Sequence, residues 1–112
     1  MTVFNEERYL APALDSVLNQ TFGDFECIIY DDGSTDRTPE ILAEYASRDS
    51  RIEVLTNTSN EGVTRNLNKG LKRVRGEYIA RMDGDDVSMP ERFGQQVSFL
   101  DSHPDYVITG TM

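Results

Sequence analysis

Apolar positions along the chain switch repeatedly between a helical and a strand-like period. Tyr9, Leu10, Ala13, Leu14, Val17 and Leu18 fall on one face of a 3.6-residue repeat and predict an amphipathic helix over residues 6–19. Asn5 is placed to cap it, with Glu6 and Glu7 at the positive end of its dipole. Residues 25–30 form a nearly continuous apolar run, the pattern of a strand covered on both faces. Ile41, Leu42, Tyr45 and Ala46 predict a second helix that tolerates Pro39 in its first turn. The run Arg51 to Leu55 alternates like a strand. Val63, Leu67, Leu71 and Val74 mark a third helix, which Gly76 is expected to end. A strand is expected from Glu77 to Met82. Ser88-Met89-Pro90-Glu91 has capping-box spacing ahead of a helix striped by Phe93, Val97 and Leu100, and Tyr106 to Thr109 reads as a last strand.

Strands and helices in alternation predict an α/β fold, a mostly parallel sheet with flanking helices. Met1 to Phe4 is a short strand tail, and the chain stops directly after its last predicted strand. The expectation is therefore one partial domain, residues 1–112, truncated at both ends. Its unpaired sheet edge would offer a route to self-association.

Charge and composition narrow the function. The chain has 112 residues, 38% hydrophobic and 28% charged, with a formal net charge of -9. An acidic protein makes a poor partner for nucleic acid or an anionic membrane. The single cysteine, Cys27, sits in an apolar run and reads as a small buried hydrophobe in a reduced compartment. No apolar run approaches the roughly 18 residues of a membrane span, and no signal peptide opens the chain. The expected location is cytoplasmic, with membrane association of a longer protein left open.

Two acidic clusters follow predicted strands: Asp31-Asp32-Gly33-Ser34-Thr35-Asp36, and Asp83-Gly84-Asp85-Asp86. The C-terminal edge of an open α/β sheet is where such folds bind ligands. A turn would explain Gly33 and Ser34, but adjacent carboxylates repel unless donors or a cation hold them. A carboxylate at that edge can accept a hydrogen bond from a nucleobase imide or a ribose hydroxyl. An Asp-x-Asp pair can reach one hard cation, and Gly84 permits close backbone approach. Without such a cation, so acidic a chain would repel a phosphorylated ligand. Arg65, Lys69, Lys72, Arg73 and Arg75 read first as a solvated helix face, with one or two able to reach a diphosphate. Asn57, Asn60 and Gly62 read as a turn on the ligand edge, and His103 as a surface or cap residue.

The chain resembles the glycosyltransferase family 2 domain, a nucleotide-sugar-binding fold of the GT-A type. The resemblance rests on Phe4-Asn5-Glu6-Glu7-Arg8-Tyr9-Leu10, residues 16–22, Asp31 to Asp36, Asn60-Glu61-Gly62, Gly76 to Asp86, and Met89-Pro90-Glu91-Arg92-Phe93. These motifs stand in family order and cover nearly the whole chain. The resemblance implies a transferase that moves a sugar from a nucleoside-diphosphate donor, UDP-linked, to a saccharide or lipid-linked acceptor. It implies a metal-dependent, inverting reaction used in cell-wall or polysaccharide assembly. By the same resemblance, Val3 and Phe4 contact the nucleobase and Glu7 lies near the nucleoside. Asp32 recognises uracil, Asp83 lies against ribose or diphosphate, and Asp85 ligates Mg or Mn. The family's catalytic base lies in the acceptor half, beyond residue 112, so this stretch is expected to bind a donor and transfer little alone. Two positions depart from the family. Thr2 stands where many members have Pro, and Arg65-Asn66 is two positions out of the register held by Leu67-Asn68, so no phosphate role is carried to Arg65.

Two readings from other classes compete. A phosphoacceptor receiver domain shares the length, an acidic pair and the stretch Asp86-Val87-Ser88-Met89-Pro90. It requires that pair after its first strand, whereas a full strand–helix unit precedes Asp31. A non-catalytic sugar-nucleotide-binding module fits the same donor site. A calcium loop fits neither cluster, which lack Gly at the sixth and Glu at the twelfth position.

Overall fold

A computed structural model of the chain describes residues 1–110. Its elements are β1 (Thr2–Val3), α1 (Leu10–Leu18), β2 (Cys27–Asp31), α2 (Thr38–Arg48), β3 (Ile52–Thr56), α3 (Val63–Leu71) and α4 (Arg92–Ser102). The strands form a parallel sheet in the order β1-β2-β3. Val3 pairs with Asp31, and Asp31 pairs with Thr56, so all three strands end in one row. The loops that leave this row, residues 4–9, 32–37 and 57–62, build a single edge.

Alternation along β2 sends its side chains to two layers. Ile29 and Cys27 join Val3, Leu10, Ala13, Leu14, Val17, Leu42 and Tyr45 in the core, so α1 and α2 cover that face. Burial pushes the Cys27 thiol pKa up, as its place in this core requires. Tyr30 faces the opposite way, toward Gly70 and Lys69 of α3. Helices therefore lie on both faces of a parallel sheet, as the apolar run of β2 predicts. Tyr45 also ties the two helices on its own face together, its hydroxyl donating to Asp15 Oδ1 at 2.7 Å.

Several local expectations are corrected. Glu77–Met82 is not a strand: among the described residues its backbone makes no bond to another backbone group. The free edge of β1, two residues long, has too few groups to support a ladder there. Met82 alone in this run is buried. Tyr106–Thr109 is not a strand either. Val107 and Ile108 are 94% and 81% exposed, while Tyr106 turns back to bond His103 O and lie edge-on to Phe99.

Helix ends shift as well. α1 begins at Leu10, after a turn in which Tyr9 N and Leu10 N both donate to Glu6 O. Asn5 does not cap it. Asn5 sits at φ 51°, and its Oδ1 accepts from Thr35 N at 2.8 Å instead. α3 ends at Leu71 rather than near Gly76, and it buries Asn66 while Val63 and Leu71 are exposed. Polar partners, described below, account for that choice of face.

The Ser88–Glu91 capping box does not form; Gln20 takes its place. Buried at the end of α1, Gln20 accepts from Phe93 N at 2.9 Å through Oε1 and donates to Met89 O at 2.7 Å and Ser16 O at 3.1 Å. A residue far away in sequence thus caps α4 and docks residues 88–93 against α1. Gln20→Leu leaves the Phe93 N–H buried and unpaired, at a cost of about 1–3 kcal/mol. The expected outcome is a melting temperature lower by roughly 4–8 °C per kcal/mol, read by calorimetry or circular dichroism. An unchanged midpoint would remove Gln20 from this role.

Candidate nucleotide-sugar site

Asp31 and Asp32 are adjacent, yet they occupy different layers. Asp31 ends β2 and is 0% exposed. Its Oδ1 accepts from Ser34 N at 3.0 Å and from Ser34 Oγ at 2.5 Å, and Ser34 Oγ accepts from Asn5 N at 2.9 Å. Asp31 therefore stitches the loop after β1 to the loop after β2. Further bonds continue the seam, Glu6 N donating to Thr38 Oγ1 and Arg37 N to Glu7 Oε2. Each of the two neighbouring carboxylates has its own donors, while Asp31 Oδ2 is buried without a hydrogen-bond partner among the described residues.

Asp32 points the other way, toward α3. Its Oδ1 accepts from Asn57 Nδ2 at 2.9 Å and Glu61 N at 2.8 Å, and its Oδ2 from Gly62 N at 2.9 Å. Burial alone pushes this carboxyl pKa up. The hydrogen bonds from Glu61, Asn66, Asn57 and Gly62 outweigh it and hold the group well below the ordinary carboxylate range. Behind this layer, Asn57 Nδ2 also donates to Asn66 Oδ1 at 2.6 Å, and Asn66 Nδ2 to Thr2 Oγ1 at 3.3 Å. Lys69 Nζ donates to Asn57 Oδ1 at 3.1 Å and pairs with Glu61 at 2.6 Å. These partners explain why α3 buries Asn66 rather than its apolar stripe. Two backbone positions make the approach of the loops feasible. Gly33 lies at φ 81° with Ser59 close behind it, and Gly62 at φ 92° turns its N–H onto Asp32.

A cleft of about 330 Å³ opens at the end of the strand row. Val3, Phe4, Asp32, Asp83 and Asp85 all line it, together with Glu6, Asn60, Gly62 and Arg81. Glu7 lies outside this lining and holds the α2 entry loop through Arg37 N. Arg65 is exposed and also outside it. Gly84 reaches the cleft wall because it has no side chain: a Cβ there would lie 2.6 Å from Val3 Cγ1. Arg92 holds the same segment, donating to Arg81 O at 2.8 Å and Ser88 Oγ at 3.0 Å.

The cleft is negative and rich in oxygen. Burial, followed by the charges of Asp85, Asp36 and Asp83, raises the Glu6 carboxyl above its usual range. Arg81 touches Asp83 at 3.4 Å, an exposed and weak pair. Among the described residues no three His, Cys, Asp or Glu side chains converge to hold a metal unaided. The donor set suits a hard cation that draws its other ligands from water or a bound anion.

Sequence reasoning passed over Glu6, Arg81 and Asn66 as parts of the site, and read Lys69 as one of a solvated helix face able to reach a diphosphate, whereas it holds Asn57 and Glu61. Asn66 stands one residue from the apolar stripe it displaces, and only its long-range partners reveal its place.

Comparison with known proteins decides the family. The model of the glycosyl transferase family 2 domain matches residues 1–112, the whole chain. The chain belongs to this family. It is 43% identical over 112 residues to EpsE of Bacillus subtilis (strain 168), which carries a glycosyltransferase name, covering 99% of this chain and 40% of that protein. Among solved structures, S. aureus TarS 1–349 in complex with UDP-GlcNAc matches with a TM-score of 0.85 and 30% identity. The match covers 92% of this chain and 30% of that one. A mannosyltransferase, PcManGT from Pyrobaculum calidifontis in complex with GDP-Man and Mn2+, has a TM-score of 0.81 at 23% identity, covering 88% of this chain and 30% of that one. The latter likeness is one of fold, and the fold is of the GT-A type. A receiver domain is thereby set aside. The chain spans 40% or less of the length of these relatives. Among the described residues no helix is long and apolar enough to cross a membrane.

The depressed Asp32 carboxyl makes a pH prediction. Its stabilising bonds are fully present above the unfolded-state value, about 4, and are lost as pH falls below that toward the folded-state value. Urea midpoints measured between neutral and acidic pH should fall more steeply below about pH 4 in the wild-type chain than in Asp32→Asn. Parallel slopes would mean that Asp32 does not carry this part of the acid sensitivity.

Proposed function

We propose that this chain is the donor-binding part of a metal-dependent glycosyltransferase that uses a UDP-linked sugar. The observation that carries the reading is the single cleft shared by Val3 and Phe4 at the end of β1, Asp32 after β2, and Asp83-Gly84-Asp85. In this reading Phe4 and Val3 flank the base, Asp32 accepts from its imide, and Asp83 faces ribose or diphosphate. Glu7 acts at one remove, by fixing the loop after β1. Asp85 provides one oxygen to Mg or Mn, whose other ligands come from the diphosphate and water. The negative charge around Glu6 supports that assignment, since a cation relieves it and a bare diphosphate aggravates it. A bound divalent ion would stabilise the departing diphosphate as a Lewis acid.

The relatives are two to three times longer, so transfer is proposed for a longer protein of which residues 1–112 form a partial domain. Its carboxylate base, inverting outcome, saccharide or lipid-linked acceptor, cytoplasmic location and role in cell-wall or polysaccharide assembly belong to the same proposal.

Titration calorimetry with UDP, with and without Mn2+, tests the site. UDP should bind the folded chain with metal and bind at least roughly tenfold more weakly without it. Asp85→Ala should remove the gain from metal, and Asp32→Ala should weaken binding by about ten- to a hundredfold, the range of a hydrogen bond to a charged group. Metal-independent binding, or an unaltered Asp85→Ala titration, would defeat the assignment.

A further inference from the structure

We propose that Asn5 positions Phe4 against the nucleobase, by holding the chain after β1 in a left-handed turn tied to the loop after β2. The inference rests on the nucleotide-sugar reading above, in which Phe4 flanks the base. Phe4 is a large apolar side chain left 43% exposed, and it lines the cleft. Glu6, two residues on, lines it too, whereas Asn5 between them does not. Any effect of Asn5 on a ligand there passes through its neighbours.

Phe4 is held from its two sides. Val3, before it, is buried, and its carbonyl accepts from Asp32 N at 2.9 Å. Phe4 itself makes no backbone bond to another backbone group among the described residues. Asn5, after it, donates from N to Ser34 Oγ at 2.9 Å and accepts at Oδ1 from Thr35 N at 2.8 Å. Glu6 has supports of its own. Its N donates to Thr38 Oγ1 at 2.8 Å, and its carbonyl accepts from Tyr9 N and Leu10 N. Loss of the Asn5 contacts therefore frees Phe4 more than it frees Glu6.

The place suits an asparagine. Among the described residues Asn5 is the one non-glycine position at positive φ, 51°. Asparagine enters this region more readily than most residues, and alanine is strained there. The acceptor for its N–H is oriented from behind. Ser34 has a single hydroxyl proton, and it is committed to Asp31 Oδ1 at 2.5 Å, which leaves an oxygen lone pair facing Asn5 N. Asp31 is wholly buried at the end of β2, so the turn is referred to the sheet and not to a free loop. Asn5 is thus a positioning residue that acts on the base through Phe4.

A double-mutant cycle on UDP affinity tests the idea, with calorimetry in Mn2+ and folding checked by circular dichroism. Phe4→Ala should weaken UDP binding by about tenfold, within the range of a base stacked on an aromatic ring. Asn5→Ala should weaken it by about three- to tenfold. The double variant should bind as Phe4→Ala does alone, because the ring that Asn5 positions is gone. A merely structural role would instead give losses that multiply. If Asn5→Ala fails to fold, Asn5→Gly completes the cycle with the same expectation, since glycine takes a positive φ without strain and lacks only the bond from Thr35. Losses that multiply, or a UDP affinity unmoved by either single variant, overturn the inference and leave the donor site standing. No UDP binding by the folded wild-type chain overturns both.

Discussion

A buried carboxylate with donors on three sides organises the ligand edge. Asp32 leaves β2 at the row where the three strands end, and it can stay ionised there only if the loops after β3 turn their N–H groups onto it. That demand fixes the backbone of Glu61 and Gly62, which precede α3, and sets the positive φ at Gly62. It selects Asn57 at the end of β3 and Asn66 within α3. The position of a whole helix follows from the needs of one anion. This is why α3 buries an asparagine while leaving Val63 exposed.

The same chain answers its other carboxylates differently. Asp31 is served by Ser34 and Asp36 by Thr38 N and Glu7 N, and the bonds from Glu7 N to Asp36 and from Asn5 N to Ser34 Oγ tie the loop after β1 to the loop after β2. Among the described residues, Asp83, Asp85 and Glu6 have no comparable set of side-chain donors in the cleft. Burial raises the Glu6 carboxyl, and the charges of Asp85, Asp36 and Asp83 raise it further. The acidic clusters are therefore two kinds of object. One is an internal scaffold whose carboxylates accept from backbone and side-chain donors, and the other is a more open wall of negative charge.

How far this was legible in the sequence follows from the range of the interactions. The three strands and four helices with strong periodic signals were readable, because burial of Leu10, Leu14, Ile29 and Leu42 needs only local pattern. Val3 and Asp32 were readable too, since the parallel topology places both strand ends on one edge, whereas Asp83 reaches the same cleft without the strand expected before it. What failed depended on partners. Glu77–Met82 and Tyr106–Thr109 have strand-like composition, but a strand exists only with a ladder beside it. Ser88 and Glu91 have capping-box spacing, yet Gln20 reaches Phe93 N from 73 residues away. Composition near a helix start carries no trace of such a competitor.

Gln20 and Arg92 also show why the second acidic segment holds its place without a ladder. Among the described residues, 77–82 make no backbone–backbone bond, so the position of this stretch and of the turn after it depends on side chains that reach main-chain carbonyls: Arg92 to Arg81 O, and Gln20 to Met89 O. Ser88 adds a bond from its N–H to Ser16 Oγ, and Met82 and Gly84 seat against the core and Val3. A segment held by a few side chains can shift by small amounts at modest cost, whereas a strand in a ladder moves only with its neighbours. Asp32 belongs to the rigid part of the cleft and Asp83 and Asp85 to the adjustable part. Recognition of a base needs fixed acceptors. Coordination of a cation and a diphosphate needs oxygens that can close on them, and under the proposed donor-site reading the two parts of the cleft would divide these tasks.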